Sequence, residues 1–331
     1  MRKLASIQEI SEIKPIPNAD AIEAVRVNGW WVVSKKGEYS EGDRCVYFEV
    51  DSVLPIKPEY EFLRKSCYVN KDWVEGFRLK TIKLRKQVSQ GLVVQVPDEL
   101  KESPIGSDVT EHLEVTKWEP PIPANLAGQV KGNFPSFIRK TDQERLENCY
   151  EELKRTHHYE EFEATLKLDG SSCTIYIKDG VYGVCSRNLD LEMNDENKDN
   201  SFVKMALKWE DNIRGLGRNI AIQSELMGPG VQGNREKLKE HELFVFDVFD
   251  IDAHSYLGSA ERLGIIKGIG LKHVPILDTC KPLLLDLDMI IKNSDVPSLS
   301  NKVAEGVVYK SIESPDVSFK VINHKFLLKE V

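Results

Sequence analysis

The chain has 331 residues, more than one hydrophobic core usually serves, so two domains of unequal size are expected. Apolar residues at 41% and charged residues at 30% are the proportions of a folded globular protein and exclude a disordered one. A net charge of −8 excludes a protein that coats nucleic acid unselectively, yet leaves room for a local basic face able to meet phosphates.

The amino terminus, MRKLASIQEISEIKP, lacks an apolar core of signal-peptide length. No apolar run in the chain approaches the roughly 20 residues that span a bilayer. A cytoplasmic or nuclear protein, neither secreted nor in contact with membrane, is expected. The first hundred or so residues read as short strands with turn punctuation: WWVVSKK, GEYSEGD, RCVYFEVDSVLP, FRLKTIKLR and GLVVQVP. Runs of this length, rich in Val, Tyr, Phe and Thr and broken by Gly, Asp and Pro, predict a small antiparallel barrel. Its opening segment, IKPIPNADAIEAVRVNGWWVV, resembles the start of the OB-type module of some tRNA-binding proteins. In EPPIPANLAGQVKGNFP the prolines and glycines cannot sustain a helix or central strand, which predicts a linker over 117–135 between domains at 1–116 and 136–331. A helix is expected near Lys140 to Lys154, with Thr141 as cap and Glu144 as its capping-box partner. Beyond it, FEATLKLDG, CTIYIKDGVYGVCS, IAIQSELMG, LFVFDVFDI, GVVYKS and SFKVI read as strands alternating with polar helices, a mixed domain with mostly antiparallel sheets. The six cysteines, 45, 67, 149, 173, 185 and 280, form no CxxC pair and read as reduced structural thiols.

The segment Lys167-Leu168-Asp169-Gly170 stands at the end of one such strand. Alone it is weak, since KxDG arises by chance in about one chain in ten of this length. It gains weight from its company along the chain, in order: Ser186-Arg187-Asn188, Ser224-Glu225-Leu226, Phe244-Val245-Phe246-Asp247, Glu305-Gly306-Val307-Val308 and Phe319-Lys320-Val321-Ile322. Taken singly, the two glutamates, Arg187 and Lys320 would be solvated surface charges and Phe246 a core aromatic. As an ordered set they resemble the motifs of the covalent nucleotidyltransferases, the superfamily of ATP-dependent ligases and mRNA capping enzymes.

That resemblance gives each residue a task suited to its chemistry. Lys167 is the nucleophile toward the α-phosphorus of ATP. It attacks only as the neutral amine, of which an unperturbed pKa near 10.4 leaves roughly one part in a few thousand at pH 7. A neighbouring cation lowers that pKa, and Lys320 and bound Mg²⁺ or Mn²⁺ are the candidates. Asp169, Glu225 and Glu305 are the metal-holding carboxylates, directly or through the water shell of the ion. Arg187, after a strand expected to pair back on the Lys167 strand, is placed on ribose or the incoming phosphate. Phe246 is placed on adenine, with Phe244 on the same strand face.

Around the motifs, FPSFIRKTDQERLEN, KLDGSS, SELMGPGVQGN, EGVVYKS and SFKVINHKFLL resemble the RNA ligase branch. With NADAIEAVRVNGWWVVSKKGEYSEGDRCVYFEVDSVLP and FRLKTIKLRKQVSQGLVV, the whole chain is similar to the Deinococcus and Naegleria type of RNA ligase. The resemblance implies an α+β chain, an amino-terminal OB-like β-barrel followed by an adenylyltransferase domain. It implies sealing of 3′-OH and 5′-phosphate ends in RNA or RNA-containing nicked duplexes by a monomer. Two positions depart from the wider pattern. Ser318, ahead of Phe319-Lys320, stands where many relatives have a second lysine, so one phosphate contact is missing or comes from Lys310 or Lys325. Thr165 stands where many DNA ligases have glutamate, so adenine recognition falls to Thr165, the Leu166 backbone or Glu163.

A DNA ligase or capping guanylyltransferase normally carries an OB domain after the last motif, whereas here the OB-like segment comes first. A non-catalytic RNA-binding protein explains the first domain and nothing in the second. In the first domain, Arg78 to Lys86 is the most evident basic stretch. Its alternation places Arg78 and Lys80 on one strand face and Thr81, Lys83 and Arg85 on the other. A charged, protected edge strand is the plain explanation, and contact of Arg78, Lys80, Lys83 and Arg85 with a nucleic-acid backbone is the functional one.

Overall fold

The computed structural model describes residues 3–85, 87–118, 128–283 and 286–330; the side chains of Lys83, Lys329 and Glu330 fall outside the described set. The chain divides into two compact units, 1–121 with 327–331, and 122–326.

The first unit contains strands β1 (Ala5–Glu9), β2 (Glu12–Pro15), β3 (Ile22–Val27), β4 (Trp30–Lys35), β5 (Arg44–Phe48) and β6 (Ser52–Leu54). A short helix α1 (Arg64–Cys67) follows, then β7 (Tyr68–Lys71), β8 (Val74–Arg78), β9 (Ile82–Leu84), β10 (Gln87–Ser89), β11 (Leu92–Gln95) and β12 (Thr116–Lys117). Among the described residues these form small sheets ordered β1-β5-β11, β2-β3-β4, β12-β6-β8-β7 and the β9-β10 hairpin. Alternation turns Val25, Val27, Trp30 and Val32 inward onto Tyr39 and Tyr47, while Ile7, Phe48, Leu54 and Phe77 build a second apolar cluster. This is the antiparallel barrel expected from the strand pattern. The segment GEYSEGD forms the turns between β4 and β5 rather than a strand.

In the second unit β13 (Val130–Asn133) and β14 (Glu144–Arg145) precede helix α2 (Leu146–Thr156). Then come β15 (Glu161–Lys167), β16 (Ser171–Lys178), β17 (Val181–Cys185), β18 (Leu189–Leu191), helix α3 (Ser201–Arg214), β19 (Ile220–Met227), β20 (Glu242–Asp250) and β21 (Ser255–Tyr256). Helix α4 (Ser259–Ile269), β22 (Lys272–His273), β23 (Ile276–Pro282), α5 (Leu287–Asn293), β24 (Gly306–Ser311), β25 (Ser318–Ile322) and α6 (His324–Glu330) complete the order. Among the described residues there are two sheets. One runs β13-β18-β17-β16-β19-β20-β21 with β22 against β20, and the other runs β14-β25-β24-β15-β23. The result is α+β, as read from the sequence.

Two local expectations change. Helix α2 starts at Leu146, not near Lys140, with Arg145 rather than Thr141 at its N-cap, where Glu144 and Arg145 pair in parallel with Phe319 and Lys320. Its apolar face, Leu146, Tyr150 and Leu153, recurs at helical spacing and is buried against Phe162 and Phe319. The linker expected over 117–135 is strand at both ends, β12 and β13, and its proline-rich centre, 119–127, lies outside the described residues. No described helix is long and apolar enough to cross a membrane.

Candidate active site

Strand alternation puts Thr165 and Lys167 on one face of β15. Register then joins Thr165 to Val308, Val308 to Lys320 and Lys320 to Arg145, a row across the five-stranded sheet. On the eight-stranded sheet a second row runs Ser172, Glu225, Phe244. A cleft of about 460 Å³, within the range of small-molecule sites, is lined by residues of both sheets. Thr165, Leu166, Lys167, Asp169, Arg187, Glu225, Phe246, Glu305 and Lys320, all singled out from the sequence, line it.

Gly170 turns the chain from β15 into β16. A Cβ there would stand 2.5 Å from the Leu226 carbonyl oxygen and 2.9 Å from Glu225 Cγ. Only glycine permits this approach, and through it the Gly170 N–H donates to Glu225 Oε1 at 3.0 Å. Gly306 does the same for Glu305: its Cβ would meet the Val321 carbonyl oxygen at 2.0 Å, so glycine lets β24 lie tight on β25 beside the carboxylate.

Lys167 Nζ lies 2.6 Å from Glu305 Oε1. Burial alone would depress the lysine, but Glu305, Glu225 and Asp169 together outweigh it and hold Lys167 above its ordinary value. Burial, followed by the nearby charges of Glu305 and Asp169, raises Glu225 to about 7 against the pull of Lys167 and the Gly170 N–H. Lys320 goes the other way. Burial first, then the charges of Lys167 and Arg145, push it down to about 8. Asp169 pairs with Arg235 at 3.3 Å, and the Arg235 guanidinium lies 4.3 Å from the Phe326 ring. Among the described residues no group of three His, Cys, Asp or Glu converges into a direct metal cage. Carboxylate oxygens spread around a cleft suit instead a hard divalent cation that keeps part of its water shell.

The aromatic end of the cleft depends on a bulge. Ser224 pairs with Val245 and Gln223 with Asp247, so Phe246 is the extra residue of β20. Val245 and Val248 enter the core on one side, while Phe244 and Phe246 pack with Leu166 and Leu168 on the other, the shared face expected for the two aromatics. The bulge also sends Asp247 toward the facing sheet, where it pairs with buried Lys310 at 2.7 Å. Lys310 in turn donates to the Phe246 carbonyl and sits 5.7 Å from its ring, which fixes the aromatic from behind.

Several finer expectations are corrected. Lys310 pairs with Asp247 and Lys325 with Asp295, and neither lines the cleft. Across from Lys320 stands Arg145, which no motif announced and which only the parallel pairing of β14 with β25 brings there. Arg187 follows a strand that pairs with β16, not with the Lys167 strand; it is exposed at the cleft rim and pairs with Asp142 at 3.0 Å. Of the three groups weighed for adenine, Glu163 is tied to Arg262 and Ser259, and the Leu166 N–H donates to the Pro275 carbonyl at 2.9 Å. Thr165 donates its hydroxyl to the Val308 carbonyl at 3.3 Å, and its oxygen can still accept. Thr141, expected from the sequence only as a helix cap, and Asp142, Phe202 and Gln232, which the sequence did not single out, also line the cleft.

In the first unit the alternating strand expected from Arg78 to Lys86 is broken. Strand β8 ends at Arg78, β9 spans Ile82–Leu84, and Arg85 has a left-handed φ of 49° at the hairpin turn. Arg78 is half-buried, paired with Asp51 at 3.0 Å and packed 4.3 Å from the Trp118 ring, so its charge is committed within the domain. Lys80 and Arg85 are exposed; the Lys83 side chain and all of Lys86 lie outside the described residues.

An OB-fold domain family matches residues 4–96, and the RNA ligase family matches residues 160–322. The chain is similar over its whole length to solved structures of mutants of the Naegleria gruberi RNA ligase. One, with AMP and Mn, is 42% identical at a TM-score of 0.84, covering 100% of this chain and 99% of that one. Another, with ATP and Mn, is 41% identical at a TM-score of 0.84, covering 99% of both. The Naegleria gruberi RNA ligase with PPi is 42% identical at a TM-score of 0.83, again covering 99% of both. No curated protein matches. A lysine set among carboxylates between two mostly antiparallel sheets, with an OB barrel ahead of it in sequence, fits a covalent nucleotidyltransferase. The chain belongs to the RNA ligase family.

Proposed function

We propose that this ATP-dependent RNA ligase joins 3′-OH and 5′-phosphate ends, nicks in duplexes among them, through a lysyl-AMP on Lys167. The single observation that carries the reading is the position of Lys167, in one cleft with Glu305, Glu225, Asp169 and, across the sheet, Lys320. Related ligases solved with ATP, AMP, PPi and Mn support ATP and a divalent ion as its co-reactants.

In the first step the neutral amine of Lys167 attacks the α-phosphorus, the bond to the bridging oxygen breaks, and pyrophosphate leaves. Lys167 starts as the ammonium paired with Glu305, so that pair must loosen and the ammonium release a proton to water before attack. Mg²⁺ or Mn²⁺ held by Glu225, Glu305 and, through water, Asp169 would neutralise those carboxylates and the α-phosphate. Lys320 faces the developing phosphate charge with Arg145 beside it. Phe246 stacks on adenine, Thr165 accepts from the base edge, and Arg187 at the rim meets ribose or the incoming 5′-phosphate. In the second step the RNA 5′-phosphate displaces Lys167 from AMP, giving RNA-adenylate and restoring the amine. In the third, the 3′-OH attacks the 5′-phosphorus, AMP departs, and Asp169, Glu225 and Glu305 again sit around the reacting phosphate.

The protein acts as a monomer in the cytoplasm or nucleus, where its six free thiols would stay reduced. Lys80, Lys83 and Arg85 of the first unit contact the RNA backbone on the 3′-OH side of the break. A sealing trial on nicked duplexes with RNA or DNA on each side tests this reading. Joining that depends on ATP and on a ribonucleotide beside the nick supports it, and failure on every RNA-containing nick contradicts it.

A further inference from the structure

Resting on the ligase reading above, we infer that the outer face of the β2-β3-β4 sheet in the first unit is an RNA-backbone site organised by Trp31. Trp30 and Val32 turn into the core, so alternation sends Trp31 outward, beside its register partner Arg26. Arg26 faces Glu12 on the next strand and pairs with it at 3.3 Å, and Lys14, two residues along β2, brings its ammonium 3.6 Å from the Trp31 ring centroid. The Arg26 guanidinium lies 5.7 Å from the same ring. An indole that holds an ammonium and a guanidinium fixes two flexible cations in advance, which reduces the ordering entropy lost when a phosphate arrives. Partial burial also depresses Lys14 from its ordinary value, despite Glu12, so its charge is incompletely solvated and open to a better partner.

The β9-β10 hairpin lies against the edge of this sheet. Gln90 donates its N–H to the Trp31 carbonyl at 3.0 Å and Val33 donates to Ser89 Oγ at 2.9 Å, so β10 is fastened along the edge of β4. At this hairpin Lys80 and Arg85 are exposed. Ile82 at 41% and Leu84 at 38% exposure add apolar surface to the hairpin. An indole that holds two cations, beside a hairpin edge with exposed cations, is complementary to the polyanionic backbone of an RNA strand.

The test is RNA binding by full-length Trp31→Ala, Trp31→Phe and Lys14→Ala/Arg26→Ala, with a nicked RNA duplex as probe over a salt series. Trp31→Ala and the double variant are expected to raise Kd about tenfold or more. The double variant should also flatten the dependence of log Kd on log salt by about two, while Trp31→Phe stays close to wild type. Lysine adenylation with ATP is measured in the same preparations, because it requires a folded protein but not this face. Retained adenylation with weakened RNA binding supports the site. Retained adenylation with wild-type affinity and slope in both variants overturns the site and leaves the ligase reading standing.

Discussion

Lys167 Nζ and Glu305 Oε1 are 2.6 Å apart, so the lysine proposed as nucleophile rests as one half of an ion pair. The sequence suggested cations around this lysine, and Lys320 is indeed near, but the carboxylates prevail and hold the amine protonated above its ordinary value. Glu305→Gln should therefore ease deprotonation and yet cost adenylation, because the same carboxylate is proposed to hold the ion. Alanine at Asp169, Glu225 or Glu305 is expected to slow single-turnover lysine adenylation by more than about 100-fold. Wild-type rates in all three would reduce them to ordinary surface charges.

Lys320 yields a pH prediction whose sign is set by its downward shift. With a value near 8 in place of the usual 10.5, Lys320 is cationic below pH 8 and loses charge above it. ATP affinity of the unadenylated wild type should fall as pH rises from 7 to 9. Lys320→Arg stays charged across that range, and its ATP affinity should be flat. A matching fall in Lys320→Arg would place the titration elsewhere.

Phe246→Ala should act chiefly on ATP binding, since stacking is felt equally in ground and transition states. A rise in KM of about tenfold with kcat nearly unchanged is expected. Loss of kcat at unchanged KM would show that the bulged ring positions the reacting phosphate instead.

Gly170→Ala removes no functional group, yet its methyl would collide with Leu226 and Glu225. The expected result is a folded protein whose adenylation falls with Glu225 displaced from the Gly170 N–H, measured against the thermal melting of the wild type. Full activity would mean that the turn relaxes without moving Glu225.

The features legible in the chain and those hidden in it divide along physical lines. Strand runs such as FEATLKLDG and IAIQSELMG are local patterns, and the motifs on them, Lys167, Glu225, Glu305 and Lys320, came together as expected. Arg145 did not announce itself, because its place beside Lys320 comes from a two-residue parallel pairing 175 positions away in sequence. Arg78 read as a phosphate contact, yet Asp51 and Trp118, remote in sequence, take up its charge. Alternation found the shared face of Phe244 and Phe246 but not the bulge that turns Asp247 to the same side, since a register shift depends on the partner strand.

The central claim is that AMP passes through Lys167. Incubation with ATP and Mg²⁺ or Mn²⁺, followed by mass spectrometry of the acid-stable, hydroxylamine-resistant adduct, reads this out directly. A phosphoramidate on the peptide containing Lys167, absent from Lys167→Ala, is the predicted result; AMP on another lysine, or undiminished labelling of Lys167→Ala, would contradict it.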